Sequence, residues 1–150
     1  MEAIDITILL AEDDDGQALL VERNLERAGF INQVRRARNG QEALDMVAGE
    51  VESCGSQVED RLVLLLDINM PVLDGIEVLR RLKADRTTAS IPVIMLTTTD
   101  DPREIARCYE LGCNIYITKP VVYEAFVEAI SRLGMFLKVV RVPGRLGKPA

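Results

Sequence analysis

The chain has 150 residues, 48% hydrophobic and 28% charged, which is the size and composition of about one globular domain. A formal net charge of −6 argues against non-specific binding of nucleic acid by the domain as a whole. The chain contains no histidine, which excludes Ser-His and Cys-His catalytic pairs, His-ligated metal sites and a phosphohistidine carrier. Its chemistry must therefore use carboxylates, hydroxyls, lysine and the backbone.

The sequence contains no signal for a membrane or an oxidising compartment. No apolar run approaches the roughly 18 residues of a membrane-spanning helix. The acidic start, Met1 to Asp5, lacks the basic segment and apolar stretch of a secretion signal. Cys54, Cys108 and Cys113 are odd in number and have no CxxC spacing, which favours reduced thiols over disulfides or a zinc site. We therefore expect a cytoplasmic protein with no membrane span.

Apolar runs and turn residues divide the chain into alternating strands and helices. The predicted strands cover residues 6–11, 30–37, 62–67, 91–97 and 114–118. The predicted helices cover about residues 16–28, 41–48, 74–84 and 102–111, and a last helix begins near residue 121. This alternation predicts βαβ units and one parallel sheet with helices on both faces, in a single domain.

Several boundaries carry specific signals. The expected N-caps are Asp14 or Asp15 for the first helix, Asp74 for the third and Asp100 or Asp101 for the fourth. The second strand is placed near a sheet edge, because Gln33, Arg35 and Arg36 interrupt its apolar run. Residues 50–61 are polar and include Gly55, so they are expected to form an exposed loop or an extension of the second helix.

Chemically useful side chains follow four of the predicted strands. Glu12 and Asp13 follow the first strand, Asp67 ends the third, Thr97, Thr98 and Thr99 end or follow the fourth, and Lys119 and Pro120 follow the fifth. The carboxyl ends of parallel strands lie along one edge of a sheet, so these residues should meet in one crevice. Clustered carboxylates repel unless a cation neutralises them, and oxygen donors suit Mg²⁺. A lysine and a threonine hydroxyl beside that ion are suited to binding a phosphoryl group.

These residues resemble the receiver domain of two-component response regulators. The resemblance rests on Glu12-Asp13, Asp67-Ile-Asn-Met-Pro-Val-Leu-Asp-Gly75, Thr97 after Pro-Val-Ile-Met-Leu, and Tyr116-Ile-Thr-Lys119-Pro120. The intervals of 30 residues from Asp67 to Thr97 and 52 from Asp67 to Lys119 fit the family pattern. The resemblance covers about residues 5–133 and implies a flavodoxin-like (βα)5 fold with a five-stranded parallel sheet in the order 2-1-3-4-5.

The resemblance also implies a role for each site residue. Asp67 is the phosphoacceptor; Asp13, Asp67 and the backbone carbonyl of Asn69 hold Mg²⁺ directly, and Glu12 acts through water. Thr97, Thr98 and Lys119 contact the phosphoryl group, Thr97 and Tyr116 form a switch, and Pro120 follows a cis peptide bond. Tyr116 could instead be ordinary sheet packing. The side chain of Asn69 either takes no part or also modulates attack of water on the phosphate.

The leading hypothesis is a single-domain response regulator, phosphorylated by a sensor histidine kinase and signalling through the surface of its fourth helix, fifth strand and fifth helix. The long segment between Asp13 and Asp67 resembles stand-alone receivers that partner bacteriophytochrome-type or hybrid kinases. A C-terminal extension, about residues 134–150, carries the apolar Phe136, Val139 and Val142, which would support a homodimer; a solvated tail is the alternative.

Two other functions compete with this hypothesis. A phosphatase of the haloacid-dehalogenase kind needs a second aspartate two residues after its nucleophile, as a general acid, and Asn69 stands there instead. A receiver-like interaction module that is never phosphorylated has no need of the full acceptor set, which is Asp13, Asp67, Thr97 and Lys119.

Overall fold

The computed structural model describes residues 6–27, 34–98, 101–119 and 122–132. The strands are β1 Thr7–Ala11, β2 Val34–Ala37, β3 Leu62–Asp67, β4 Val93–Thr97 and β5 Ile115–Thr118. The helices are α1 Asp15–Arg27, α2 Gly40–Cys54, α3 Gly75–Ala84, α4 Pro102–Glu110 and α5 Tyr123–Arg132, and a 3₁₀ helix, Gly55–Asp60, precedes β3. Residues 30–33 of the predicted second strand, Pro120 and the extension at 134–150 lie outside the described residues.

The five strands form one parallel sheet in the order β2-β1-β3-β4-β5. This confirms the predicted flavodoxin-like fold, and β2 lies at an edge as its polar composition indicated. β3 is at the centre and all six of its residues are buried. A strand covered on both faces needs apolar side chains at every position, which explains the unbroken run from Leu62 to Leu66.

Successive side chains of the strands build two separate core layers, because they point to opposite faces of the sheet. Val63 and Leu65 of β3 pack on the side of α1 and α5. Leu62, Leu64 and Leu66 pack on the side of α2, α3 and α4. Among the described helices, none has both the length and the apolar character needed to cross a membrane.

Short polar side chains satisfy the free amide groups at the helix starts, as predicted. The side chains of four residues accept hydrogen bonds of 2.8–3.0 Å from backbone N–H groups in the first turn, namely Asp14 before α1, Asn39 before α2, Asp74 before α3 and Asp101 before α4. Asp14 rather than Asp15 therefore caps α1. Asn39, predicted only as part of a turn, is also a cap.

The second helix is longer than predicted. It continues from the expected end near residue 48 to Cys54, because Val47 and Val51 extend its apolar face across Gly49. Residues 50–61 are therefore not an exposed loop but a helix extension followed by the 3₁₀ helix. Val58 in that 3₁₀ helix is only 4% exposed and packs with the core layer beneath α2 and α3.

The loop after β3 lies directly against the strand that it leaves. The backbone N–H of Gly75 donates to the carbonyl of Ile68 at 2.7 Å. A Cβ atom at Gly75 would lie 2.2 Å from the carbonyl oxygen of Asp67, so no larger residue fits without moving the backbone. Gly75 therefore allows α3 to begin close beside the end of β3, where Asp67 stands.

Gly75→Ala should lower the free energy of unfolding by at least about 2 kcal/mol, because the added methyl group must displace backbone atoms. The matched control is Gly49→Ala in α2, where a Cβ would meet nothing within 4 Å. That variant should gain about 0.5–1 kcal/mol from the better helix former. Urea denaturation measures both changes, and equal stability of the two variants would show that the loop is not so tightly placed.

Candidate functional site

Three carboxylates meet at the carboxyl edge of the sheet. Glu12 and Asp13 directly follow β1, and Asp67 ends the neighbouring strand β3. One oxygen from each lies within 4.8 Å of the others. Glu12 is 1% and Asp67 5% exposed, whereas Asp13 is exposed. The crevice therefore has two buried acids at its base and one at its rim.

Lys119 reaches this cluster from the end of β5. Its Nζ donates a hydrogen bond to Oε1 of Glu12 and lies 3.2 Å from Oδ1 of Asp67. The lysine side chain is only 6% exposed. Its backbone N–H donates to the carbonyl of Thr97 at 2.6 Å, which places Lys119 beside the end of β4. The ammonium group is thus shared between two buried carboxylates.

The electrostatics of the cluster favour a bound cation. Burial and, after it, the nearby charge of Glu12 raise the pKa of Asp67 to about 6, against the opposite effect of Lys119. Asp67 is therefore largely ionised at neutral pH, although its ionised form is less stable in this site than in water. With all groups charged, three carboxylates and one ammonium leave two negative charges uncompensated. A divalent cation would balance them.

The donors also fit Mg²⁺, which takes oxygen ligands and keeps some of its water. Both oxygens of Glu12 already accept hydrogen bonds, Oε1 from Lys119 and Oε2 from the backbone N–H of Asp14 at 3.2 Å. Asp13 and Asp67 are therefore better placed for direct contact with an ion, and Glu12 for contact through water. Asn69 lies exposed on the loop that follows β3.

Thr97 and Tyr116 form a second contact at the same edge of the sheet. Thr97 ends β4 and is fully buried, while Tyr116 of β5 is partly buried and packs with the core layer beneath α2, α3 and α4. Their side chains share a hydrogen bond, and burial raises the pKa of the tyrosine. Thr98 follows as an exposed residue. Tyr116 is therefore bonded to Thr97 as well as packed in the sheet.

Residues 8–131 match the family model for the response regulator receiver domain. This chain is a response regulator receiver domain. Probable methanogenesis regulatory protein FilR2 of Methanothrix harundinacea is 34% identical to this receiver over 134 residues, which cover 89% of this chain and 84% of that protein.

Two solved structures extend the comparison. A receiver domain from Rhodospirillum rubrum is 46% identical, with a TM-score of 0.70 over 92% of this chain and 97% of that one. The bacteriophytochrome response regulator RtBRR is 37% identical, with a TM-score of 0.78 over 95% of this chain and 86% of that one. The resemblance inferred from the sequence motifs is thereby confirmed at the level of the family.

The structure brings Glu12, Asp13, Asp67 and Lys119 of this receiver together, and it pairs Thr97 with Tyr116. Two features were missed. The Lys119–Glu12 contact joins residues 107 apart, and no local pattern indicates it. Arg36, considered only as an interruption of the second strand, bonds the loop that carries Asp13.

Proposed function

We propose that this receiver accepts a phosphoryl group on Asp67 from the phosphohistidine of a sensor histidine kinase, with Mg²⁺ bound beside it. Receivers are phospho-accepting signalling domains that partner such kinases. The observation that carries the proposal is the position of Lys119 Nζ, 3.2 Å from Oδ1 of Asp67, in a buried cluster with Glu12 and beside Asp13. A lysine there can pair with an oxygen of a group attached to Asp67.

In the proposed transfer, a carboxylate oxygen of Asp67 forms a bond to phosphorus while the phosphorus–nitrogen bond of the donor breaks. The departing imidazole takes the electron pair of that bond. Bound Mg²⁺ would offset the repulsion between the acidic cluster and the incoming phosphoryl group. Asp13, Asp67 and the Asn69 carbonyl would hold the ion directly.

Lys119 has a second part in this scheme. Its ammonium has three donors, and it contacts the carboxylates of Glu12 and Asp67. Phosphorylation turns one carboxylate oxygen of Asp67 into the bridging oxygen of an acyl phosphate and adds three strongly accepting, negatively charged phosphoryl oxygens. The ammonium group of Lys119 then moves to bind a phosphoryl oxygen. Thr97 and Thr98, at the end of β4, donate hydrogen bonds from their hydroxyl groups to other phosphoryl oxygens.

The competing functions are less well supported. Asn69 occupies the position of the general acid in such a phosphatase, but its amide side chain does not ionise near neutral pH and cannot act as one. An interaction module that is never phosphorylated would gain nothing from keeping two acids and a lysine buried together, because burying charges costs free energy.

With Mg²⁺ and acetyl phosphate or a small phosphoramidate, the intact protein should gain the mass of one phosphoryl group. The adduct should persist for minutes and should be absent when EDTA replaces Mg²⁺. Asp67→Asn should show no gain, because it lacks the nucleophilic oxygen. Asp74→Asn is the matched control, because Asp74 caps α3 outside the cluster and should be labelled like wild type.

Different outcomes of this experiment favour the competing functions. Turnover of many phosphate esters, lost in Asp67→Asn, would favour a phosphatase. A wild-type protein that gains no mass under any of these conditions would favour the interaction module and contradict phosphorylation of Asp67.

We also propose that phosphorylation changes the surface formed by α4, β5 and α5. The contact between Thr97 and Tyr116 links the acceptor edge to this surface. When Thr97 turns toward the phosphoryl group, its hydrogen bond with Tyr116 is broken and the packing of α4 on β5 can change. Tyr109 and Val122, which are 44% and 46% exposed, lie on that surface and provide apolar area for a partner or a second copy.

The similarity to the bacteriophytochrome response regulator RtBRR supports a partner kinase of the bacteriophytochrome type, with a hybrid kinase as the alternative. We propose that residues 1–150 act as one receiver in the cytoplasm, with a core at about 5–133 and a C-terminal extension, and without contact to nucleic acid or membrane. The homodimer would use the α4, β5 and α5 surface together with that extension.

Hydrogen exchange tests the proposed coupling. Phosphorylation of wild type should change the exchange of amides in α4 and β5, whereas Thr97→Ala should be phosphorylated with little such change. Thr118→Ala, an exposed threonine on β5, is the matched control and should respond like wild type. An unchanged response in Thr97→Ala would show that the signal does not pass through this hydroxyl.

A further inference from the structure

Arg36 braces the loop that carries Asp13. It stands on the edge strand β2, and its side chain is 17% exposed. Its Nε donates to the backbone carbonyl of Glu12 at 2.9 Å, and its Nη1 donates to Oδ1 of Asp15 at 2.7 Å. These two partners lie on either side of Asp13 in the chain. One guanidinium therefore holds both ends of the segment that presents the Asp13 carboxylate.

Arg38 provides a natural comparison. Its Nη1 donates to the same Oδ1 of Asp15 at 2.9 Å, and the two arginines together lower the pKa of Asp15. The side chain of Arg38 is 63% exposed. Within the part of the chain that the structure describes, its guanidinium bonds Asp15 alone. Arg36 and Arg38 thus carry the same charge to the same acid, but Arg36 also holds the main chain at Glu12.

The loop needs these stabilising contacts because it places several negative charges close together. Residues 12–15 are four consecutive acids, and Asp67 faces two of them. Their repulsion favours a loop that moves away from Asp67. The Nη2 atom of Arg36 is buried without a hydrogen-bond partner among the described residues, which is an unfavourable position for a donor. The two contacts that Arg36 makes must outweigh this cost.

We propose that Arg36 is a positioning residue for the cation site: by holding Glu12 and Asp15, it keeps the Asp13 carboxylate beside Asp67. The inference rests on the proposed binding of Mg²⁺ at this cluster. Positioning and simple electrostatics predict opposite effects here. Loss of a positive charge near a cation site strengthens attraction for the cation. Loss of the contacts that hold the Asp13 carboxylate in place weakens cation binding.

Calorimetric titration with MgCl₂ separates these effects. Arg36→Gln should raise the Kd for Mg²⁺ about tenfold, the usual size of an effect on a residue that orients a ligand. Arg38→Gln loses the same charge without loss of the main-chain contact, and its Kd should equal or fall below that of wild type. Arg36→Lys keeps the charge but cannot donate in the same planar geometry, so its Kd should lie between those of Arg36→Gln and wild type.

The Mg²⁺ dependence of acetyl phosphate labelling provides a second readout. Arg36→Gln should need more Mg²⁺ for half-maximal labelling, yet reach a wild-type rate within about twofold at saturating Mg²⁺, because Arg36 does not contact the acceptor. Thermal unfolding in EDTA identifies any variant that fails to fold. If Arg36→Gln does not fold, the Kd of Arg36→Lys for Mg²⁺ is the test, and it should be higher than that of wild type.

The outcomes are distinguishable. Mg²⁺ binding by Arg36→Gln that is as tight as wild type, or tighter, would overturn the positioning role while leaving the proposed function intact. Normal Mg²⁺ binding with no label on wild-type Asp67 would overturn the proposed function alone. A wild-type protein that does not bind Mg²⁺ would overturn both.

Discussion

Repulsion among Glu12, Asp13 and Asp67 is the constraint on which the site depends. The parallel sheet makes it unavoidable, since the ends of β1 and β3 are neighbours and each carries acids. Lys119 relieves part of the repulsion by bonding Glu12 and lying 3.2 Å from Asp67. It leaves an excess of two negative charges, which can be offset by a divalent cation or by protonation. The same excess that disfavours the empty pocket therefore favours binding of Mg²⁺.

The surrounding structure keeps these charges in place. Both faces of the central strand are buried in the core, and its last residue is Asp67. Gly75 lets the next loop return directly beneath that residue. Arg36 holds the other side of the pocket through Glu12 and Asp15. From the end of β4, the bond between Thr97 and Tyr116 leads away from the pocket toward α4. The site is thus held on two sides, and the proposed route to the surface of α4, β5 and α5 begins at its third side, with Thr97.

Features that depend on neighbouring residues in the chain could be predicted from the sequence. The unbroken apolar run before Asp67 identified the central strand, and single acids such as Asp74 identified helix starts. The convergence of Asp13, Asp67 and Lys119 followed from the topology of a parallel sheet. Contacts between distant segments could not be predicted. The side chain of Arg36 bonds a loop 21–24 residues earlier, and Val58 is buried within a polar segment, because packing rather than local pattern decides these positions.

A crystal structure with Mg²⁺ and beryllium fluoride, a mimic of the phosphoryl group, tests the central claim most directly. We expect an ion bound by Asp13 and Asp67, the beryllium atom bonded to a carboxylate oxygen of Asp67, and Lys119 turned from Glu12 to a fluorine atom. An ion bound elsewhere, or an unmodified Asp67 with Lys119 still paired to Glu12, would contradict it.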